Sequence, residues 1–336
     1  MNKIIFPGIT FVSLIIIFSV LSISLIFNNG YSVMQYNLEN QINNKSPYSS
    51  LQFPLSYNYS KNIIQDKINI VHLLSHYIES RIHNAQSILL ISSQDESVRN
   101  NSSANLINEE FMGIPENADI LKREMAKRIL QLDDDFGSVY FTTPKADIYL
   151  GEPFSQQKQL QRLNYADREW YKGIANIINN NTGHNLTAAA TTNTYTSGIF
   201  ISASIHTPAI SIVAPVYKKY DTNESNNNNE ELLGYWVGIL NLHDIIKSVK
   251  NLNLTDNERI VIFDQNGTII TDSKNNYYEN SIELKYFEYL DKVSNVLNGE
   301  IGIKVENNNN DNLPTLIIYY PINTGSHYWS IVYMIK

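Results

Sequence analysis

The spacing of apolar positions changes several times along the chain, and each change marks an element. Residues 4–27 (IIFPGITFVSLIIIFSVLSISLIF) form a run of 24 without a charge, long enough to cross about 30 Å of hydrocarbon as one helix. This predicts a transmembrane anchor within 1–30. Residues 31–59 lose periodicity and are rich in Asn, Ser, Tyr and Pro, which predicts a linker. From 60 to 98 the apolar residues Ile64, Ile68, Val71, Leu74, Ile78 and Ile82 recur every three or four positions. That spacing predicts one long helix, with Ser60 as its N-cap. Behind a membrane span it reads as a stalk.

Residues 119–132 predict another helix, stopped at Asp133, Asp134 and Asp135. Strand patterns follow at 138–143 and 146–151, then helical ones at 153–163 and 166–178. Three β-rich runs come next at 194–204, 209–218 and 232–243, with a closing helix at 243–252. The acidic, Asn-rich stretch 221–231 reads as an exposed loop. A second cycle opens at 258, where RIVIFD and TIITDS flank Gln265-Asn266-Gly267, a strong hairpin signal. An amphipathic helix is predicted over 282–297, followed by strands at 300–306, 315–322 and 328–335. Each cycle therefore runs hairpin, helix, three strands. That order predicts an α+β fold with helices on antiparallel sheets, divided into modules at 99–250 and 251–336.

Composition narrows the function. Formal charge is −8 and no basic stripe occurs, so nucleic acid is excluded as an expected partner. Cysteine is absent, which removes disulfides, thiolate metal sites and cysteine nucleophiles. Lys3 precedes the apolar run and the next charge is Glu39. The positive-inside rule then puts the N-terminus in the cytoplasm and the rest outside, a single-pass protein of the cell membrane. A cleaved signal peptide is the alternative, although its apolar core is usually shorter and ends at small residues. The 44 asparagines suggest an AT-rich genome and an archaeal source.

Several strings in order resemble the double Cache family, extracellular relatives of PAS domains. They are the long helix behind the span; Asn164-Tyr165-Ala166-Asp167-Arg168-Glu169-Trp170-Tyr171, similar to the family's R-x-W-Y ligand motif; the strand opened by Tyr195; Ala214-Pro215-Val216-Tyr217; the stretch from Leu233-Gly234 to His243-Asp244-Ile245; and Val261 to Gly267. The resemblance covers about 60–336. It implies two PAS-like modules, the membrane-distal one binding a small ligand and the proximal one passing the signal on.

The resemblance implies a ligand site at Arg168, Trp170, Tyr171, Tyr195 and Ser197. Arg168 offers a planar fork for a carboxylate, and Trp and Tyr can wall and orient a small polar molecule. The family's Tyr-x-Asp reads Tyr195-Thr196-Ser197 here, and the acid expected in the third strand falls near Ile239. An ammonium would lack its counter-charge, so a carboxylate or a neutral polar metabolite is expected rather than a free amino acid. The chain stops at Lys336 without an output region of the family's kind, which sets three alternative expectations: it signals through a partner protein, it only captures a ligand, or the gene was split.

His72, His76, Glu79 and His83 share one helix face, and a polar stripe or dimer seam explains them better than a metal. Asp133 to Asp135 lack the spacing of a calcium loop. There is no nucleophile elbow, P-loop or G-x-G-x-x-G, so neither catalysis, a cofactor nor a metal is expected. The long apolar stripe predicts a homodimer through the helix. The alternative function is a structural or adhesive surface protein, favoured if the distal pocket is filled with apolar side chains. A hydrolase would need a buried acid pair or a Ser–His contact there.

Overall fold

The computed structural model describes residues 61–181, 194–205, 207–218, 231–277, 283–307 and 314–336. The expected membrane span and linker lie outside these residues. Among the described residues no helix is long and apolar enough to cross a membrane.

Helix α1 (Lys61–Ser93) has 33 residues, roughly 50 Å at the α-helical rise. Its apolar stripe is buried: Val71, Ile78, Ala85 and Leu89 have no exposure. It lies along both sheets. Ser75 Oγ donates to Pro321 O at 2.7 Å, Gln86 Nε2 donates to Thr324 O at 2.7 Å, and Trp236 Nε1 donates to Ser92 Oγ at 2.8 Å. Helix α2 (Ile120–Leu132) follows. The first sheet holds β1 (Phe136–Thr142), β2 (Ile148–Glu152), β3 (Tyr195–Thr196), β4 (Phe200–Ile201), β5 (Pro208–Tyr217) and β6 (Leu232–Asn241), in the order β2-β1-β6-β5-β3 with β4 also on β5. Between β2 and β3 stand α3 (Phe154–Lys158) and α4 (Glu169–Asn181); α5 (His243–Lys250) closes the cycle.

The second sheet holds β7 (Glu258–Phe263), β8 (Ile269–Asp272), β9 (Gly302–Asn307), β10 (Pro314–Asn323) and β11 (Tyr328–Ile335), in the order β8-β7-β11-β10-β9. Every strand pair in both sheets is antiparallel. The two orders match strand for strand: the last strand of each cycle sits centrally, beside the first. The fold is α+β with two antiparallel sheets.

Three expectations change. The run 194–204 is two short strands, because the Gly198 and Ile199 N–H groups turn from β5 to the Glu169 and Asp264 carboxylates. The helix expected over 153–163 shortens to α3. The helix expected over 282–297 shrinks to α6 (Leu290–Val293) and a 3-10 turn at Ser294–Asn298. Its first part is drawn to the edge of the second sheet instead. Ile269 N donates to Lys285 O at 2.7 Å and Phe287 N to Gly267 O at 2.9 Å, so backbone that could have served a helix is spent on β8.

Candidate functional site

On β1, alternation puts Ser138, Tyr140 and Thr142 on one face. Their partners across β6 are Ile239, Val237 and Tyr235. Over this face stands the start of α4, and the segment from Ser197 to Ser204 closes a side. Between them is a cavity of about 220 Å³ lined by Tyr140, Thr142, Val237 and Ile239 from the sheet, by Tyr165, Arg168, Glu169 and Trp170 from the α4 side, and by Ser197, Phe200 and Ser202 to Ser204 from the rim, with Ile148 and Leu160. An apolar cavity of about 150 Å³ takes up benzene, so this one has room for a molecule of about nine non-hydrogen atoms.

The polar lining is incompletely paired. Tyr140 Oη, Thr142 Oγ1 and Tyr165 Oη are buried without a hydrogen-bond partner. Burial pushes the Tyr140 phenol up to about 12; the Ser204 and Ser138 hydroxyls nearby pull the other way without reaching hydrogen-bond geometry. Burial also raises the Tyr165 phenol, against the charges of Arg162 and Arg168. Native interiors rarely leave buried hydroxyls unpaired, and each exception calls for an explanation. Arg168 is half-buried. Its guanidinium lies 5.9 Å from the ring centres of Tyr165 and Phe200, and it makes no ion pair with a described side chain. Glu169 is the one carboxylate among the described lining residues, and no histidine is among them.

The sequence pattern of the Cache domain family matches residues 57–336. The chain belongs to the Cache domain family. No curated protein matches this Cache chain in sequence. Solved structures of its fold include the ligand-binding domain of the Pseudomonas aeruginosa amino acid chemoreceptor PctC in complex with GABA, at 11% identity and a TM-score of 0.53, covering 81% of this chain and 99% of that one. The ligand-binding domain of the Pseudomonas fluorescens chemoreceptor CtaA with L-leucine has 14% identity, a TM-score of 0.51 and coverages of 82% and 96%. That of the P. aeruginosa chemoreceptor PctB with L-Arg has 12% identity, a TM-score of 0.51 and coverages of 82% and 96%.

In this Cache domain, Arg168, Trp170 and Ser197 line the cavity. The Trp170 indole N–H donates to no described group. Ser197 is saturated: its hydroxyl donates to Gly198 O at 2.8 Å and accepts from Ser211 N and Ser211 Oγ, both at 3.0 Å, which fills the capacity of a hydroxyl. Tyr171 and Tyr195 are not among the lining residues. The Tyr171 hydroxyl donates to Pro144 O at 3.1 Å. The Tyr195 ring lies on Gly173 of α4, where any Cβ would collide with it, and its hydroxyl donates to Glu169 Oε1 at 3.0 Å. Sequence reasoning missed Tyr140, Thr142, Tyr165 and Glu169. Alternation could have put the first two on the inner face; no local signal separates a cavity wall from a filled core.

Among the described residues no group of histidines and carboxylates is placed to hold a metal. His72 Nε2 and His76 Nε2 are 3.0 Å apart and His76 pairs with Glu79 at 3.3 Å. Burial first, then His76, lowers the His72 pKa.

Proposed function

We propose that this chain is a membrane-anchored extracytoplasmic sensor module, not an enzyme, whose first sheet, within 99–250, binds a small polar metabolite. The observation that carries it is that three residues with buried, unpartnered hydroxyls, Tyr140, Thr142 and Tyr165, line one cavity together with Arg168, which forms no ion pair with a described side chain. A ligand with a carboxylate supplies the fork that a guanidinium favours. A hydroxyl or carbonyl on its far end satisfies the buried phenols. The apolar run 4–27 supports the anchor. Ile239 stands on β6 where the family's resemblance implies an acid, which leaves Glu169, held on Oε1 by three neutral donors, as the one carboxylate among the described lining residues. A carboxylate or neutral polar molecule therefore fits better than a free amino acid, although the ligands of the neighbouring folds put amino acids and GABA in the test panel.

The test is thermal unfolding of the full chain against carboxylates, hydroxy acids, amino acids, amines and sugars. A ligand at 100 times its dissociation constant adds about 2.7 kcal/mol, a shift of several degrees. A hit that disappears in Arg168→Ala supports the reading and the site. A hit that survives moves the site, and a folded protein with no hit speaks for a scaffold.

The outer face of α1 exposes Leu73 (67%) and Ile91 (71%), with Tyr77 between them. These residues share a side of the helix and support pairing of two chains through α1. Sedimentation that stays monomeric at micromolar concentration counts against it.

A further inference from the structure

We propose that Glu169 couples the first sheet's cavity to the second sheet, so that occupancy of the cavity is passed on through this one carboxylate; the proposal rests on the binding reading above. Glu169 sits between Arg168 and Trp170 at the start of α4, and all three line the cavity. Its Oε1 accepts from three donors: Tyr195 Oη at 3.0 Å, Gly198 N at 3.1 Å and Gln265 Nε2 at 2.8 Å. The first two belong to the cavity's own module. Gln265 belongs to the β7–β8 turn of the second.

From Gln265 the contacts go inward. Its Oε1 accepts from the indole N–H of the fully buried Trp329 at 3.0 Å. Tyr195 also reaches His327 Nε2 of the second sheet at 3.0 Å. Beside them, Ile199 N donates to Asp264 Oδ2 at 2.8 Å, while Asp264 Oδ1 accepts from Asn266 N and Thr268 N, both at 2.9 Å, which holds the turn. Burial raises the Asp264 carboxyl, these N–H groups lower it, and the negative charge of Glu169 adds to the rise. The approach is close: a Cβ at Gly198 would stand 2.7 Å from Asp264 Oδ2, 2.8 Å from Asn266 Nδ2 and 2.9 Å from Gln265 Nε2, so these side-chain ends would have to shift to admit it.

The mechanics follow from covalent order. A ligand held by Arg168 and Trp170 acts on the two neighbours of Glu169 in one helical turn, whose backbone moves as a unit. Charge-assisted hydrogen bonds are short and directional, so a small displacement of the carboxylate redistributes its three donors. Two of those donors are tied to the Asp264–Thr268 turn directly or through Gly198 and Ile199.

The test fills the cavity without a ligand, so it is independent of whether any metabolite in the panel binds. Thr142→Phe places a ring in the cavity, and hydrogen exchange of the full chain is followed at the Asn266 and Thr268 amides. The expected result is a change of roughly threefold or more in their exchange, the sign of a shifted local opening equilibrium. The change is expected to vanish in Thr142→Phe/Glu169→Ala and to return in part when Gln replaces Ala at 169. A response that persists without Glu169, or a folded Thr142→Phe with no response, overturns the coupling while leaving the binding reading standing. If Thr142→Phe does not fold by circular dichroism, Ala203→Leu on the rim serves as the filling variant, read the same way.

Discussion

In the first sheet, Leu163 O and Tyr165 N hold the edge of β2 through Ile148 N at 2.9 Å and Ala146 O at 3.0 Å; in the second, Lys285 O and Phe287 N hold β8 in the same way. The isolated bridges Asp147–Asn164 and Thr268–Tyr286 repeat the match. The hairpins agree as well, since Thr142 pairs with Ile148 after an irregularity and Phe263 pairs with Ile269 after another. Tyr165 therefore corresponds to Phe287, Thr142 to Phe263 and Tyr140 to Val261. Phe263 and Phe287 stack with ring centres 4.9 Å apart and close the second sheet's core with Val293 and Val296. At the same place the first sheet has a threonine and a tyrosine, and a cavity. The difference teaches that two side chains, and not the topology, decide which sheet is hollow.

The strongest way to break this comparison is Phe287→Ala. Emptying a packed aromatic site costs about 3–5 kcal/mol, so chemical denaturation should show a loss of that size, with no effect on cavity ligands beyond lost fold. Glu258 offers a second contrast. Burial alone would raise its carboxyl, but hydrogen bonds from Lys67, Thr255 and Tyr333 outweigh burial and bring it to about 2. Its pKa lies below the ordinary 4.5, so its contribution is complete above pH 4.5 and disappears as pH falls toward 2. Glu258→Gln should lose about 1.5–3 kcal/mol at neutral pH and flatten the acid arm of the stability profile. Under the first sheet the slope has the same sign but the charged form is the one penalised. Burial lowers the Lys122 ammonium to about 8, against the pull of Asp119, so the unfolded chain holds that proton more tightly. Stability should rise from pH 8 to 10.5, and Lys122→Met should remove the rise.

Thr142→Phe sharpens the comparison directly. Burying the ring should add about 1–2 kcal/mol while abolishing every thermal shift from the metabolite panel. The smallest effect is expected from Tyr165→Phe, which makes the first sheet copy the second at one atom. Removing an unpaired buried hydroxyl should be neutral or stabilising by less than about 1 kcal/mol; the same change should weaken a genuine ligand by roughly tenfold, read by titration calorimetry.

The cycle of elements was legible because hairpin signals such as Asn266-Gly267 and period-two runs are local. The Arg168–Trp170 string was legible for the same reason. The helix over 282–297 was misread because its amphipathic pattern serves equally to lay Phe287 on a sheet, and an edge strand's unpaired backbone outweighs a marginal helix. Tyr195 and Glu169 were not readable as junction residues, since their partners Gln265 and His327 lie in the other cycle. Nor does any pattern in Thr142 or Tyr140 announce an empty space beside it.

The central place of β6 and β11 governs the order in which the molecule can assemble. Each is the last strand of its cycle and pairs with the first, so the first sheet must bring together residues such as Val139 and Gly238, roughly a hundred positions apart, and such long closures slow folding. The β7–β8 hairpin needs only its own turn. The turn that meets Gly198 can therefore be ready before the sheet it docks against is closed, and it offers Asp264 as a fixed acceptor to a strand segment still searching for its place.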